Sequence, residues 1–255
     1  MQSEWAPMAW CDGQLAPVHA IAIPALSLSA LYGIGLFETL RAYGGRPFAL
    51  ERHIGRLKLS AAELGLESPW LAETSRAVDG VAAVLTANGL RDAAIRITLF
   101  AEGTSLDDPR TALVISARRF EGYPPEWYRD GIRVVVAPWR RSSGELHTRL
   151  KSGNYMTCLL SRQWARSRGA EEALLLNVHG RVCEGSVSNV FAVIGGRLLT
   201  PPLSEGLLPG ITRALVMELA KSEGLEVIEQ PLGLADLTTA DEVFLTNSLM
   251  GFLFG

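Results

Sequence analysis

The stretch that most constrains this chain runs from 173 to 200. Four short segments rich in Leu, Val, Ile and Phe (Ala173–Asn177, Arg181–Gly185, Asn189–Ile194 and Arg197–Thr200) follow one another closely, joined by Val178-His179-Gly180 and Gly195-Gly196. Segments of four to six apolar residues broken by glycine turns read as strands, and such short connections predict a compact antiparallel meander. A helix is predicted before it, with Met156, Leu159, Leu160 and Trp164 on one face and a stop at Gly169. Another follows at Ile211–Glu223, preceded by Leu207-Leu208-Pro209-Gly210 and closed by Gly224; further strands are expected near Glu226–Gln230 and Glu242–Thr246.

The amino-terminal half has a different rhythm. Met8 to Pro17 predicts a strand, a turn at Asp12-Gly13 and a second strand. Period-two spacing in Phe37–Tyr43 sets Phe37, Thr39, Arg41 and Tyr43 on one face, a poor core face and a plausible site wall. A strand over Arg46–Leu50 precedes a helix marked by Ile54, Leu57, Ala61 and Leu64, with Arg52 and Arg56 one turn apart on another side. Val78, Val81, Ala82 and Leu85 mark a second helix. Strands Ala94–Phe100 and Ala112–Ala117 follow, joined by a loop containing Asp107-Asp108-Pro109. Glu121–Gly131, rich in Pro and aromatics, is the best linker candidate. The expected organisation is α/β (α+β): a small domain over 1–120, a linker over 121–131 and a larger domain over 132–255.

Composition excludes several functions. With 255 residues, 48% of them hydrophobic, the chain can bury a large core. A net charge of −3 with no clustered basic face argues against a nucleic-acid partner. No apolar run is long enough to span a membrane, no secretory signal is visible, and Cys11, Cys158 and Cys183 form neither a metal spacing nor a disulfide framework. A cytoplasmic protein without a metal centre is expected.

Five places carry candidate chemistry. Lys151 stands at the mouth of an amphipathic segment, two residues from Arg149, where a lysine amine can lose its proton readily. Alone it reads more readily as a solvated lysine at a helix start. Glu184 follows apolar Val182 and Cys183 and sits among small residues that would let a planar ring approach the backbone, yet glutamates after hairpins are commonly exposed. Gly210-Ile211-Thr212-Arg213 offers the free N–H groups of a helix start and a hydroxyl, the makings of a phosphate seat. Arg56 could add a charge-assisted grip on a phosphate, and Asn247-Ser248 an amide and a hydroxyl.

In order, the chain also shows Tyr32-Gly33-x-Gly35-Leu36-Phe37-Glu38-Thr39, Glu51-Arg52-His53-x-x-Arg56-Leu57, Lys151-Ser152-Gly153-Asn154-Tyr155, Glu184-Gly185-x-x-x-Asn189-Val190-Phe191, Leu208-Pro209-Gly210-Ile211-Thr212-Arg213 and Asp241-Glu242-Val243-Phe244-Leu245-Thr246-Asn247-Ser248. Together these resemble the class IV pyridoxal-phosphate enzymes, which include branched-chain aminotransferases, D-amino-acid aminotransferases and 4-amino-4-deoxychorismate lyases. The resemblance implies a two-domain fold type IV enzyme, a site between the domains completed by a neighbouring subunit, and hence a homodimer. It implies that Lys151 holds the pyridoxal 5'-phosphate and moves the proton in catalysis, and that Glu184 faces the pyridine nitrogen. Arg56, Ile211, Thr212 and Ser248 match phosphate-binding positions, Asn247 stands beside them, and Tyr155 matches a tyrosine that contacts the ring hydroxyl.

Within the family, Thr39 stands where branched-chain enzymes tend to have glycine, and Asn247-Ser248-Leu249-Met250-Gly251 looks like the lyase tail. The expected activity is therefore an aminodeoxychorismate lyase releasing pyruvate to give 4-aminobenzoate, with Thr39 near the leaving group. The alternative is a class IV aminotransferase acting on a branched-chain, D-amino or simple amine donor. Phe100-Ala101-Glu102-Gly103 lacks the arginine that lyases often carry there; Arg96, Arg110, Arg140 and Arg141 are unranked substitutes. A silent relative kept as a binding protein need preserve neither Lys151 nor Glu184.

Overall fold

A computed structural model describes residues 5–107 and 110–254, so Asp108 and Pro109 of the expected loop lie outside the described residues. The chain divides into two compact units: residues up to 121 together with 151–154, and residues 122–150 with 155–255.

In the first unit, β1 (Met8–Cys11) and β2 (Gln14–Pro17) form the hairpin expected from Asp12-Gly13, whose φ angles of 43° and 92° are those a tight two-residue turn demands. Helix α1 (Leu28–Tyr32), β3 (Gly35–Tyr43) and β4 (Arg46–Pro47) follow, then α2 (Leu50–Glu63), α3 (Pro69–Ala72), α4 (Thr74–Ala87), β5 (Ala93–Ala101) and β6 (Thr111–Arg119). The strand expected over Arg46–Leu50 is cut to two residues because Leu50 already opens α2. The sheet runs β2-β1-β6-β5-β3-β4 and is antiparallel throughout. One face carries Leu36, Leu40, Ile95, Ile97, Leu99, Leu113 and Ile115, all buried, with α2 and α4 packed on the sheet. Each such aliphatic side chain contributes about 2 kcal/mol of burial. The second face alternates as expected, with Phe37, Thr39 and Arg41 in register beside Thr98, Arg96 and Ala94.

Lys151–Asn154 belongs to this unit rather than to the larger domain. Ser152 bridges antiparallel to Leu36, Phe37 N donates to Lys151 O at 2.8 Å, and Gly153 N donates to Gly35 O at 2.8 Å. The segment thus extends the edge of β3 where β4 leaves off.

In the second unit come α5 (Pro125–Asp130), β7 (Val134–Arg141), α6 (Met156–Arg166), β8 (Glu172–Asn177), β9 (Val182–Gly185), β10 (Asn189–Ile194), β11 (Arg197–Thr200), α7 (Ile211–Ser222), β12 (Val227–Glu229), α8 (Leu234–Thr238), β13 (Glu242–Asn247) and β14 (Gly251–Phe254). The segment expected as a linker is largely structured here: Tyr123 stacks on Trp127 at 5.2 Å, both pack on the core, and Tyr128 Oη donates to Met250 O. The single meander is corrected to two sheets, β7-β8-β9 and β12-β11-β10-β13-β14, with β7–β8 and β11–β12 parallel. The chain changes sheet at Gly185–Ser188, where Gly185 N donates to Ser188 O and the buried Glu172 carboxylate accepts from Ser186 N, Ser186 Oγ and Ser188 Oγ.

Leu174, Leu176 and Val182 of the first sheet share a core with Val190, Ala192, Leu199, Leu245 and Leu253 of the second. Small Ala165, Ala170 and Ala173 let α6 approach the outer side of one sheet, and Met217 and Ala220 seat α7 on Phe191 and Leu198 of the other. Strand β8 is therefore covered on both faces, which explains its unbroken Leu174-Leu175-Leu176. Helix α6 buries Ser161 and Ala165 and leaves Met156, Leu159 and Leu160, the apolar row that marked it in the sequence, exposed.

Candidate active site

In the first unit two glycines, Gly33 and Gly153, make room for the Lys151 segment, and a third, Gly35, lets β3 close on β5. Gly33 adopts φ 69°, and a Cβ there would lie 2.6 Å from Asn154 Oδ1. A Cβ on Gly35 would lie 3.1 Å from Leu99 O, and one on Gly153 3.0 Å from Gly33 O. Close backbone approach, and at Gly33 a left-handed conformation, account for these glycines. With its backbone fixed, Lys151 sets Nζ 4.7 Å from the centre of the Phe37 ring. The Arg96 guanidinium covers that ring at 3.7 Å, and its Nε donates to Thr98 Oγ1 at 3.3 Å. Thr39 pairs directly with Arg96 across the strands. Of the four unranked arginines, Arg96 shares this face with the lysine.

Arg56 is met by a residue that sequence reading quoted in a motif but gave no role. Its Nε and Nη2 donate to the two oxygens of Glu38 at 2.8 and 2.6 Å, and His53 Nδ1 lies 2.7 Å from Glu38 Oε2. Glu38 and His53 are both 1% exposed. Burial alone would raise the Glu38 carboxyl, but the Arg56 charge and the hydrogen bonds from His53 and Arg56 outweigh it and hold it at about 2. Two nitrogens of Arg56 are thereby fixed, which sets the plane of its guanidinium. The available signal was an acid on the apolar face of β3, opposite a helix carrying His53 and Arg56 at i, i+3.

In the second unit Glu184 is 6% exposed and held on both oxygens. Arg141 Nη1 lies 2.5 Å from Oε1; Oε2 accepts from Leu208 N at 3.0 Å and from Asn189 Nδ2 at 3.3 Å. Arg141, another of the unranked arginines, is thus committed to the acid. Asn189 Nδ2 also donates to Leu208 O, which ties Glu184 to the turn entering α7. That turn is tight: a Cβ on Gly210 would lie 1.9 Å from Asn189 Oδ1. Gly210 is the N-cap of α7 and offers no capping side chain, so the first-turn N–H groups at Ile211 and Thr212 have no intrahelical acceptor. Arg213 turns away from them, donating through Nη2 to Pro201 O at 3.0 Å and Glu229 Oε2 at 2.6 Å.

The remaining candidates fall on neighbouring elements. Burial first, then the charges of Cys158, Glu184 and Glu172, push the Tyr155 phenol far above its usual range, so it stays protonated. Asn247 Oδ1 accepts from Leu249 N and Met250 N at 2.9 Å each and closes the β13–β14 turn, leaving Ser248 partly exposed within it. Thr246 Oγ1, across from Asn189, is a buried hydroxyl with no hydrogen-bond partner.

A primary amine on a backbone fixed along β3 in the first unit, and in the second a buried carboxylate, an uncapped helix start and an orphan hydroxyl, are each of a chemistry that suits a phosphorylated pyridine aldehyde.

Its family and its structural neighbours make the chain a pyridoxal-phosphate-dependent enzyme of fold type IV. The chain belongs to the amino-transferase class IV family, whose model matches residues 35–254. It is 42% identical over 246 residues to a Methanocaldococcus jannaschii protein provisionally named a branched-chain-amino-acid aminotransferase, covering 94% of this chain and 83% of that one. It is similar to a T.th. branched-chain amino acid aminotransferase solved with pyridoxamine 5'-phosphate, with TM-score 0.90 and 30% identity over 98% of this chain and 85% of the other. A Legionella pneumophila structure provisionally named 4-amino-4-deoxychorismate lyase superposes with TM-score 0.84 at 26% identity, covering 93% of this chain and 87% of that one. Among the described residues no helix is long and apolar enough to cross a membrane.

Proposed function

We propose that the chain is an aminotransferase that moves the amino group of a branched-chain amino acid to a 2-oxo dicarboxylate, rather than the lyase that Thr39 and the Asn247-Ser248 segment suggested. The observation that carries this reading is the 42% identity, over nearly the whole chain, to the Methanocaldococcus jannaschii relative, against 26% to the lyase. The second face of β3 and β5 supports it: Arg96, paired across the strands with Thr39, offers a cation for a second carboxylate.

Pyridoxal phosphate supplies the carbonyl and the electron-accepting ring. Lys151 would hold the cofactor through Nζ, and that nitrogen would carry the proton from the substrate Cα to the former aldehyde carbon, on the other side of the transferred nitrogen. Glu184 would hold a proton at the ring nitrogen, and the Tyr155 phenol would donate to the ring hydroxyl oxygen. The N–H groups at Ile211 and Thr212, the hydroxyls of Thr212 and Ser248, and Arg56 would hold the phosphate, with Asn247 shaping the loop that presents Ser248. The exposed row Met156, Leu159 and Leu160 on α6, one apolar stripe at i, i+3, i+4, supports a homodimer, working in the cytoplasm.

The test is to give the purified protein L-leucine, L-isoleucine or L-valine with 2-oxoglutarate and measure glutamate, beside aminodeoxychorismate alone with pyruvate as readout. Glutamate formation that Lys151→Ala abolishes is expected. Pyruvate released from aminodeoxychorismate without any keto acid, and no glutamate, would overturn the reading in favour of the lyase.

A further inference from the structure

We propose that Arg141 is a positioning residue: it holds the Glu184 carboxylate in place and joins it to the backbone that leads into Lys151. The inference rests on the reading of Glu184 as the acid at the ring nitrogen.

Arg141 ends β7 and is largely buried, with 15% of its side chain exposed. One guanidinium nitrogen, Nη1, meets Glu184 Oε1 at 2.5 Å; the other, Nη2, donates to Thr148 O at 2.8 Å. Thr148 is itself fixed, 1% exposed, with Oγ1 and N both donating to Glu145 O. It stands three residues before Lys151 in the chain. One rigid planar group therefore spans the acid and the approach to the amine, which a lysine, as a point charge on a flexible stem, would not do.

The charge balance around Glu184 gives Arg141 its second task. Two further donors to the acid, Leu208 N and Asn189 Nδ2, are neutral. Burial opposes the Arg141 charge, but Glu184 and then Cys158, Cys183 and Tyr155 favour it, and Glu172 of β8 stands near Tyr155. A guanidinium at hydrogen-bond distance favours the anionic form of the carboxylate it meets, so Arg141 adds a charge that the two neutral donors do not. Partners of this kind behind a contacting group commonly change activity about 10- to 100-fold when removed.

The experiment compares Arg141→Gln, Arg141→Lys and Glu184→Gln with the parent holoenzyme, by absorbance of the bound cofactor against pH, by cofactor affinity and by kcat and KM. Arg141→Gln is expected to move the midpoint of the absorbance transition by a unit or more, a tenfold change in proton affinity. It should lower kcat about 10- to 100-fold with KM for the keto acid little changed. Arg141→Lys, which keeps the charge without the fork to Thr148, should fall between and serves as the readout if the glutamine variant does not fold. If Glu184→Gln moves the transition while both Arg141 variants leave it at the parental value, the role given to Arg141 is wrong. If Glu184→Gln itself leaves the transition in place, the reading of Glu184 fails instead.

Discussion

Replacing Glu38 by glutamine keeps the side chain's shape and deletes one buried charge. The carboxylate is 1% exposed, clasped by Arg56 and hydrogen-bonded to His53. Its pKa falls from an ordinary 4.5 to about 2 in the folded protein. A drop of that size corresponds to about 3 kcal/mol of stability. Breaking a buried pair by removing one partner typically costs about 3–5 kcal/mol, because the other charge is left uncompensated. Glu38→Gln should therefore lose about 3 kcal/mol or more in denaturant unfolding at neutral pH. The depressed pKa fixes the sign of the acid dependence. The Glu38 contribution is fully present above the unfolded value near 4.5 and is lost as pH falls toward about 2. Parent and variant should then differ most at neutral pH and converge as the pH approaches about 2. A difference below about 0.5 kcal/mol at neutral pH, the range of an ordinary surface substitution, would refute the reasoning, as would a gap that stays constant into acid.

Two glycine substitutions probe the site walls. At Gly210 the backbone is ordinary, with φ −67°, so Gly210→Ala acts through sterics alone: its Cβ lands 1.9 Å from Asn189 Oδ1 and must displace the side chain that ties Glu184 to Leu208. Cofactor affinity, followed by fluorescence titration, should fall about 10-fold or more, and an unchanged affinity would contradict the tight turn. At Gly33 the left-handed φ of 69° adds about 1–2 kcal/mol for any side chain. Gly33→Ala also pushes on Asn154 Oδ1, so it should lower both the melting temperature and kcat; parental values for both would show that the Lys151 segment does not depend on that contact.

Local chemistry was legible wherever it was set by neighbours in sequence. Asp12-Gly13 marked its hairpin, and the apolar spacing of α2 and α7 placed those helices within a residue or two of their ends. The six motifs drew together Lys151, Glu184, Gly210 and Arg56 because each motif carries its own turn or cap. Long-range pairing was illegible. Nothing around Lys151 announces that it lies along β3, more than 100 residues earlier in the chain, since backbone hydrogen bonds leave no mark on side-chain composition. The division of β8–β11 between two sheets turns on Glu172 gathering the serines at 186 and 188, and an acid in an apolar run gives no hint of which hydroxyls it will meet. On α6 the apolar spacing marked the helix but not its buried side: small Ser161 and Ala165 are buried, and Met156, Leu159 and Leu160 are exposed.

Because residues 151–154 are borrowed by the amino-terminal unit, the polypeptide passes between the two bodies three times, after 121, before 151 and after 154. A protein cut between 121 and 122 would yield a carboxyl-terminal piece that owns the reactive amine but lacks the strand on which that amine is mounted. Mixing the two pieces would restore those strand-edge hydrogen bonds only when residues 151–154 threaded back onto β3.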